Sequence, residues 1–369
     1  MKNKHIVCLI DNLGSGGAQR QLVNLGILIK NIGYKVSFIT YQDNMFYKDF
    51  LDRENIPLIC VESGNYISRI INIRKALKES NADVVIAFLE VPGFIACLSK
   101  MSGLKFKLVT NELSASEYTF INKRNRIFNI FERYSDAKVC NSENAMGMWQ
   151  KYYPQYNDKY QVIYNPVIIP DNLINHKCES TNKKLNLIVA ASYQELKNPI
   201  RLVEAVNGLS RSDQEKIKID WFGRKEAVIG SDEYYNKVEK LVEQYNLQDC
   251  INLHDETKQI YEHMNNADVV GLFSTVEGLP NAICEGMMLG KPIIMSKVSD
   301  YRTLTDGNGI TCDANSVESI REALKTIIDM PEKELLKMGE ISRQKAERLF
   351  SVNEIVEKWH NLIEGLLQK

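Results

Sequence analysis

The sequence predicts an α/β protein made of two Rossmann-like, doubly wound parallel-sheet domains, and three observations carry that prediction. Short apolar, β-rich runs alternate with longer stretches of helical period, the pattern of strands joined by helical crossovers. The pattern occurs twice, on either side of a polar stretch that carries Pro166 and Pro170. The 369 residues, 44% of them apolar, are enough for two hydrophobic cores at roughly 100 to 200 residues per domain.

In the first half, strands are expected near His5–Ile10, Lys35–Thr40, Pro57–Val61, Asp83–Phe88, Lys105–Thr110 and Ala137–Asn141, with helices over Ala18–Lys30, Ser68–Glu79, Glu117–Tyr134 and Asn144–Tyr153. The region Asn165–Lys184 has no periodicity and reads as a linker, which sets domains at residues 1–165 and 185–351 with 166–184 between them. The second series runs through Asn186–Ala191, Ile217–Gly223, Ile251–Leu253, Val269–Ser274, Pro292–Ser296 and Gly309–Cys312. Two helices close the chain, Glu332–Leu349 and Val352–Leu367, and the second has a stripe of Ile355, Trp359, Ile363 and Leu367 spaced four apart. That stripe requires a partner surface.

The formal net charge of −1 argues against a general nucleic-acid binder. It conceals an asymmetry: residues 1–170 carry +6 and residues 171–369 carry −7. Eight cysteines, at 8, 60, 97, 140, 178, 250, 284 and 312, form no CxxC pair and have no histidine spaced to complete a zinc site. They read as reduced core thiols of a cytoplasmic protein. The apolar run Ile6–Ile10 is too short for a signal segment, and Val84–Leu98, broken by Glu90 and Pro92, falls short of the roughly 20 residues a membrane span needs.

Three stretches carry chemistry. The turn after the first strand, Asp11-Asn12-Leu13-Gly14-Ser15-Gly16-Gly17-Ala18-Gln19-Arg20, feeds a helix whose N-terminal N–H groups can face an anion. A dinucleotide fingerprint would place a third glycine where Gln19 stands, and Asp43 is poorly spaced for a ribose. The second stretch, Ser274 to Pro292, puts Glu277 on a Gly/Pro loop beyond a strand's carboxyl end, where open α/β sheets bind ligands. Pro280 and Asn281 start a helix that carries Glu285 among Ile283, Cys284, Met287 and Met288. A carboxylate in such company needs hydrogen bonds, which the two vicinal hydroxyls of a ribose would give. The plainer readings are an arginine partner or a water-facing position for Glu285, and simple loop solvation for Glu277. The third stretch, Val189 to Pro199, sets Lys197 at a helix start, where it and the terminal N–H groups could neutralise a diphosphate, or where it is ordinary surface charge.

In chain order these residues make a recognisable set. Gly16-Gly17-Ala18-Gln19-Arg20 after strand one, Val162-Ile163-Tyr164-Asn165-Pro166 before the linker, the strand-loop-Lys197 opening of the second domain, Ala267 to Ser274, and Glu277-x7-Glu285 with Gly278-Leu279-Pro280 inside together resemble the GT-B glycosyltransferases of family four, the retaining nucleotide-sugar transferases. The resemblance spans nearly the whole chain. It implies two domains facing each other across a cleft, with the nucleotide-sugar donor, a UDP-sugar first among candidates, held by the second domain and a glycan acceptor by the first. By the same resemblance Glu285 would hold the ribose, Lys197 the diphosphate, and Glu277 with Gly278, Leu279, Pro280 and Asn281 the sugar. Gly16 and Gly17 would reach the donor phosphates and the acceptor. The last helix would return to the first domain.

Two departures stand out. Family members commonly carry an arginine five residues before the lysine, where this chain has Ser192; Arg224 or Arg20 are the candidate substitutes. A histidine often found near the acceptor loop is absent, and Asn111-Glu112 stands at about that place. Glu112 then either serves the acceptor or caps a helix. Loss of a diphosphate needs pre-placed positive charge, and no Asp-x-Asp occurs in the chain, so a metal-independent reaction without cofactor is expected.

The basic surplus concentrates in Ser68–Lys78 and Phe120–Phe128, where cations are mixed with Ile, Leu and Phe. One reading is a helix lying on an anionic membrane, with a lipid-linked glycan of a surface polysaccharide as acceptor; the other is a solvated helix packed on the sheet. The competing functions are a nucleotide-sugar epimerase or hydrolase, an NAD-dependent oxidoreductase built on the first domain, and a catalytically silent partner subunit.

Overall fold

The computed structural model describes residues 4–113, 116–170, 173, 184–226 and 231–368. The chain divides into two compact units, Met1–Pro166 with Val352–Lys369, and Val167–Ser351. Most of the stretch expected as linker lies outside the described residues, and Cys178 and His176 with it.

The strands of the first unit are β1 (His5–Leu9), β2 (Lys35–Thr40), β3 (Leu58–Cys60), β4 (Val84–Ala87), β5 (Lys107–Glu112), β6 (Ala137–Cys140) and β7 (Tyr160–Val162). Its helices are α1 (Gly17–Asn31), α2 (Lys48–Arg53), α3 (Tyr66–Ser80), α4 (Glu90–Met101), α5 (Tyr118–Ile121), α6 (Lys123–Ile130) and α7 (Glu143–Tyr152). The sheet is parallel and ordered β3-β2-β1-β4-β5-β6-β7. Every residue of β1 is buried, as befits a parallel strand covered on both faces. Growth of the sheet changes side between β1 and β4, so the carboxyl ends of those two strands form the topological switch point.

Three elements differ from expectation. The segment Glu117–Tyr134 is broken at Asn122, whose extended backbone (φ −64°, ψ 128°) lets its side chain accept the N–H groups of Arg124 and Asn125 and so cap a new helix. Helix α4 forms in spite of Pro92, which sits in the first turn where no backbone donor is needed. Strand β7 is too short to have announced itself.

The second unit has β8 (Leu185–Ala190), β9 (Ile217–Phe222), β10 (Ile251–His254), β11 (Val269–Leu272), β12 (Ile293–Ser296) and β13 (Gly309–Cys312), parallel and ordered β10-β9-β8-β11-β12-β13. Its helices are α8 (Pro199–Asn207), α9 (Arg211–Gln214), α10 (Glu233–Gln244), α11 (Ile260–Asn266), α12 (Asn281–Met288), α13 (Tyr301–Thr305), α14 (Val317–Ile328) and α15 (Glu332–Phe350). Here the switch point lies between β8 and β11. Its core gathers Leu187, Val189, Trp221, Val269 and Ile294 from the strands with Leu202, Val206, Ile320 and Leu324 from α8 and α14.

The closing helix α16 (Val352–Gln368) belongs to the first unit and packs on α1. Ile355, Trp359 and Ile363 of the expected stripe are buried, together with Leu362 and Leu366, while Leu367 is half-buried. Tyr34 Oη donates to Glu364 Oε1 at 2.6 Å and lies 2.9 Å from His360 Nδ1, which fixes the far end of the helix.

Candidate functional site

Loops at the switch point of the second unit bring the main candidates together. After β8 the chain passes Ser192 and buries Tyr193, whose hydroxyl lies 2.9 Å from the backbone carbonyls of Trp221 and His254. A 3-10 turn over Glu195–Lys197 follows, then Asn198 in the left-handed region (φ 67°). Asn198 is buried and satisfied on every side. Its Nδ2 donates to Phe273 O (3.1 Å) and Ala314 O (2.7 Å), and its Oδ1 accepts from Arg201 Nη1 at 2.9 Å. The loop that carries Lys197 is thereby tied to the chain leaving β11 and β13, and Pro199 starts α8 directly behind it.

The loop leaving β11 is pinned on the same spot. Thr275 N–H donates to Leu196 O at 2.8 Å, Ser296 Oγ to Ser274 O at 2.5 Å, and Ser299 Oγ to Gly278 O. Glu277 Oε1 accepts from both Lys197 Nζ (2.5 Å) and Ser274 Oγ (2.6 Å). The side chains of Lys197 and Glu277 are 21% and 12% exposed, so neither is a free surface charge. Gly278, Leu279 and Pro280 are buried, and Asn281 opens α12 from the Pro280 N-cap.

Glu285, the fifth residue of α12, is 5% exposed, which excludes the water-facing reading. Tyr261 Oη on α11 lies 3.4 Å from its Oε1 and donates to it. The helix can sit this low because a Cβ on Gly286 would come within 2.6 Å of Val270 Cγ2 on β11. A carboxylate is thus buried on the helix that continues the Glu277 loop.

On the other edge of β8, Tyr193 N–H donates to Arg224 O at 3.1 Å, so the loop after β9 lies against the Ser192 loop. The approach is close enough that a Cβ on Gly223 would meet Ala191 O at 1.9 Å. Arg224 itself is exposed.

The remaining candidates belong to the first unit. Gly16 is the N-cap of α1 and Gly17 its first residue, with Arg20 in the first turn. Gln19 folds back over the glycines: its Oε1 lies 2.2 Å from where a Gly16 Cβ would be, and its Nε2 donates to Asp11 Oδ1 at 3.2 Å. Burial raises the Asp11 pKa, against the N–H of Asn12 and the Gln19 amide that favour its charge. The close helix–strand contact that a third fingerprint glycine would serve occurs instead at Gly26, which faces the Phe38 ring.

Asn111 and Glu112 end β5 and are buried. Glu112 is a strand residue whose Oε2 accepts the Trp149 indole N–H at 2.9 Å. Beside it the buried Lys138 pairs through Nζ with Glu132 Oε2 at 3.2 Å and lies 4.0 Å from the Trp149 ring centroid. Burial works against the Lys138 charge, but Glu132 and Glu112 outweigh it and raise its pKa. This buried pair was not among the sequence candidates, though a lysine inside the apolar run Ala137–Cys140 was a signal. Ser274 and Tyr261 were also missed; only Ser274, at a strand end before Glu277, had a signal of its own.

Comparison with known proteins places these features in context. Residues 15–169 match the family described as Glycosyltransferase Family 4, and residues 172–345 match Glycosyl transferases group 1. A relative in Campylobacter jejuni, the α-1,4-N-acetyl-D-galactosaminyltransferase named for GalNAc-α-(1→4)-GalNAc-α-(1→3)-diNAcBac-PP-undecaprenol, is 26% identical over 96% of this chain and 97% of its own. A second from the same organism, named as an N-acetylgalactosamine-N,N'-diacetylbacillosaminyl-diphospho-undecaprenol 4-α-N-acetylgalactosaminyltransferase, is 22% identical over 87% of this chain and 89% of its own. Among solved structures, Anabaena Alr3699/HepE in complex with UDP and glucose superposes with a TM-score of 0.83 at 16% identity, covering 98% of this chain and 100% of that one.

Proposed function

Because this chain belongs to the group 1 glycosyltransferases, hexosyltransferase-type enzymes of GT-B fold, we propose that it transfers a sugar from a UDP-sugar to a lipid-linked glycan with retention of anomeric configuration and without a metal. The observation that carries the reading is the cluster at the β8/β11 switch point: Lys197 and Ser274 hydrogen-bonded to Glu277, with Glu285 buried on the helix that follows. In this reading Glu285 takes the ribose hydroxyls, Lys197 and the helix N-termini the diphosphate, and Glu277 with the buried Gly278–Pro280 backbone the sugar.

The reaction breaks the bond from the anomeric carbon to the diphosphate oxygen, and the electron pair leaves with the diphosphate. The acceptor hydroxyl bonds the same face of that carbon and passes its proton to the leaving phosphate oxygen. The protein's task is then electrostatic, to stabilise charge on the leaving group. The names of the Campylobacter jejuni relatives, which carry undecaprenol, support a lipid-linked acceptor; in this reading the protein works in surface polysaccharide assembly at the inner face of the membrane. No helix among the described residues is long and apolar enough to cross a membrane, and contact with it would be peripheral, through the first unit.

Thermal-shift titration with UDP, GDP, ADP, UDP-sugars and NAD tests the donor, since a ligand selective for the folded state raises its stability. Stabilisation by NAD and by no nucleoside diphosphate would overturn the proposal. Proton NMR of the product's anomeric centre tests retention, and release of free sugar or a changed nucleotide sugar without acceptor would favour the hydrolase or epimerase.

A further inference from the structure

A diphosphate brought to the β8/β11 switch point meets a lysine whose charge is already balanced, because Glu277 Oε1 lies 2.5 Å from Lys197 Nζ. More positive charge is needed to hold that anion. The neighbouring cations are largely committed: Lys225 pairs with Asp255 at 3.3 Å and lies over the Tyr235 ring, Lys218 pairs with Asp220 at 2.8 Å, and Arg201 holds Asn198. Arg224 differs. Its backbone is fixed by the Tyr193 N–H at 3.1 Å beside Ser192, while its guanidinium is exposed and engaged by no described residue.

We infer that Arg224 is the second cation of the donor's diphosphate site, delivered from the loop after β9 to the place that Ser192 leaves without charge. A guanidinium suits the task, since its fixed fork of donors can engage two phosphate oxygens at once. The close packing of Gly223 on Ala191 O sets where that fork begins. The inference rests on the donor reading above, and the experiment separates the two.

Wild type, Arg224→Ala, Arg224→Ala with Ser192→Arg, and Lys297→Ala are titrated calorimetrically with UDP, GDP and ADP and with the matching monophosphates. Lys297, exposed after β12, is the control cation. Arg224→Ala is expected to weaken the preferred diphosphate by about 10- to 100-fold, the loss of a charged hydrogen-bonding partner, and to shrink its advantage over the monophosphate. Ser192→Arg should restore most of that loss, and Lys297→Ala should change little. Unchanged diphosphate binding in Arg224→Ala would overturn the inference alone, as would a loss that Lys297→Ala reproduces or Ser192→Arg fails to repair in a folded variant. Wild type that binds none of the three diphosphates would overturn the donor reading itself.

Discussion

Lys197 Nζ lies 2.5 Å from Glu277 Oε1 across 80 positions of sequence, and the same oxygen also accepts from Ser274 Oγ. The pair joins the loops that leave β8 and β11, so the cation proposed for the diphosphate and the carboxylate proposed for the sugar act directly on each other. Glu277 therefore opposes a bare diphosphate and favours a donor whose sugar hydroxyls it can engage. Glu277→Gln should tighten UDP binding several-fold while lowering kcat/KM for transfer by about 100-fold or more, the scale of a lost transition-state hydrogen-bonding group. Calorimetry and initial rates measure the two effects. Weaker UDP binding with unchanged transfer would refute this division of roles.

Glu285 gives a test of the ribose. Its carboxylate is buried among apolar neighbours and touches the Tyr261 hydroxyl. Two ribose hydroxyls would each donate a hydrogen bond to this carboxylate in the proposed donor reading, so UDP should bind at least tenfold more tightly than 2′,3′-dideoxy-UDP in wild type. In Glu285→Gln the difference should shrink to about threefold or less. Equal discrimination in both proteins would mean that Glu285 serves the packing of α12 only.

Much of the second unit was legible because short, fully buried parallel strands read as apolar runs ended by polar loops. The local structure of the Glu277–Glu285 block was legible for the same reason, since loop, N-cap and helix follow one another in sequence. What could not be read were partnerships across the fold. Lys197 read as either ligand or surface charge until the β11 loop met it, and Tyr261 reaches Glu285 from an element with no motif of its own. In the first unit, the periodicity of Glu117–Tyr134 suggested one helix because Asn122 is compatible with both a helix interior and a cap. Only its side-chain bonds to Arg124 N and Asn125 N decide between them.

Asp220 on β9 gives the second unit a pH signature. Burial opposes its charge, but Lys218 (2.8 Å), His254 (3.0 Å) and Asn252 (3.0 Å) outweigh that and hold its carboxyl below the usual range. A carboxyl with a lowered folded pKa stabilises the fold fully above its unfolded value of about 4 and loses that contribution as pH falls through the folded one. Asp220→Asn should therefore cost about 1 to 3 kcal/mol at pH 7, and the gap to wild type should begin to close only below pH 4. Urea unfolding at a series of pH values measures this; a gap that instead opens on acidification would show the sign to be wrong.

The basic helices of the first unit end up between the two readings of their sequence. Helix α3 does pack, through Ile73, Ala76 and Leu77, yet it leaves Ile67 70% and Ile71 59% exposed on the side away from them. Helices α5 and α6 do the same with Ile121 (62%) and Ile127 (55%). The Arg124 charge acts on Tyr66, which brings the start of α6 toward the start of α3, and Arg69, Lys123, Arg124 and Arg126 stand on the same segments as these isoleucines. Leaving isoleucine in water forgoes about 1.5 to 3 kcal/mol per side chain, and a lipid interface would recover part of it while each cation adds about 1 kcal/mol on an anionic leaflet. The protein should sediment with vesicles containing phosphatidylglycerol and not with phosphatidylcholine alone, and 1 M salt, where the screening length is about 3 Å, should weaken the interaction. Replacing Ile67, Ile71 and Ile121 together by Glu should lower vesicle binding by tenfold or more without changing thermal stability by more than a few degrees, because exposed sites contribute little to folding. The same variant should keep its rate on a short water-soluble acceptor and lose rate on the lipid-linked one. Equal binding to neutral and anionic vesicles, or undiminished binding by the triple variant, would rule this surface out as the membrane contact.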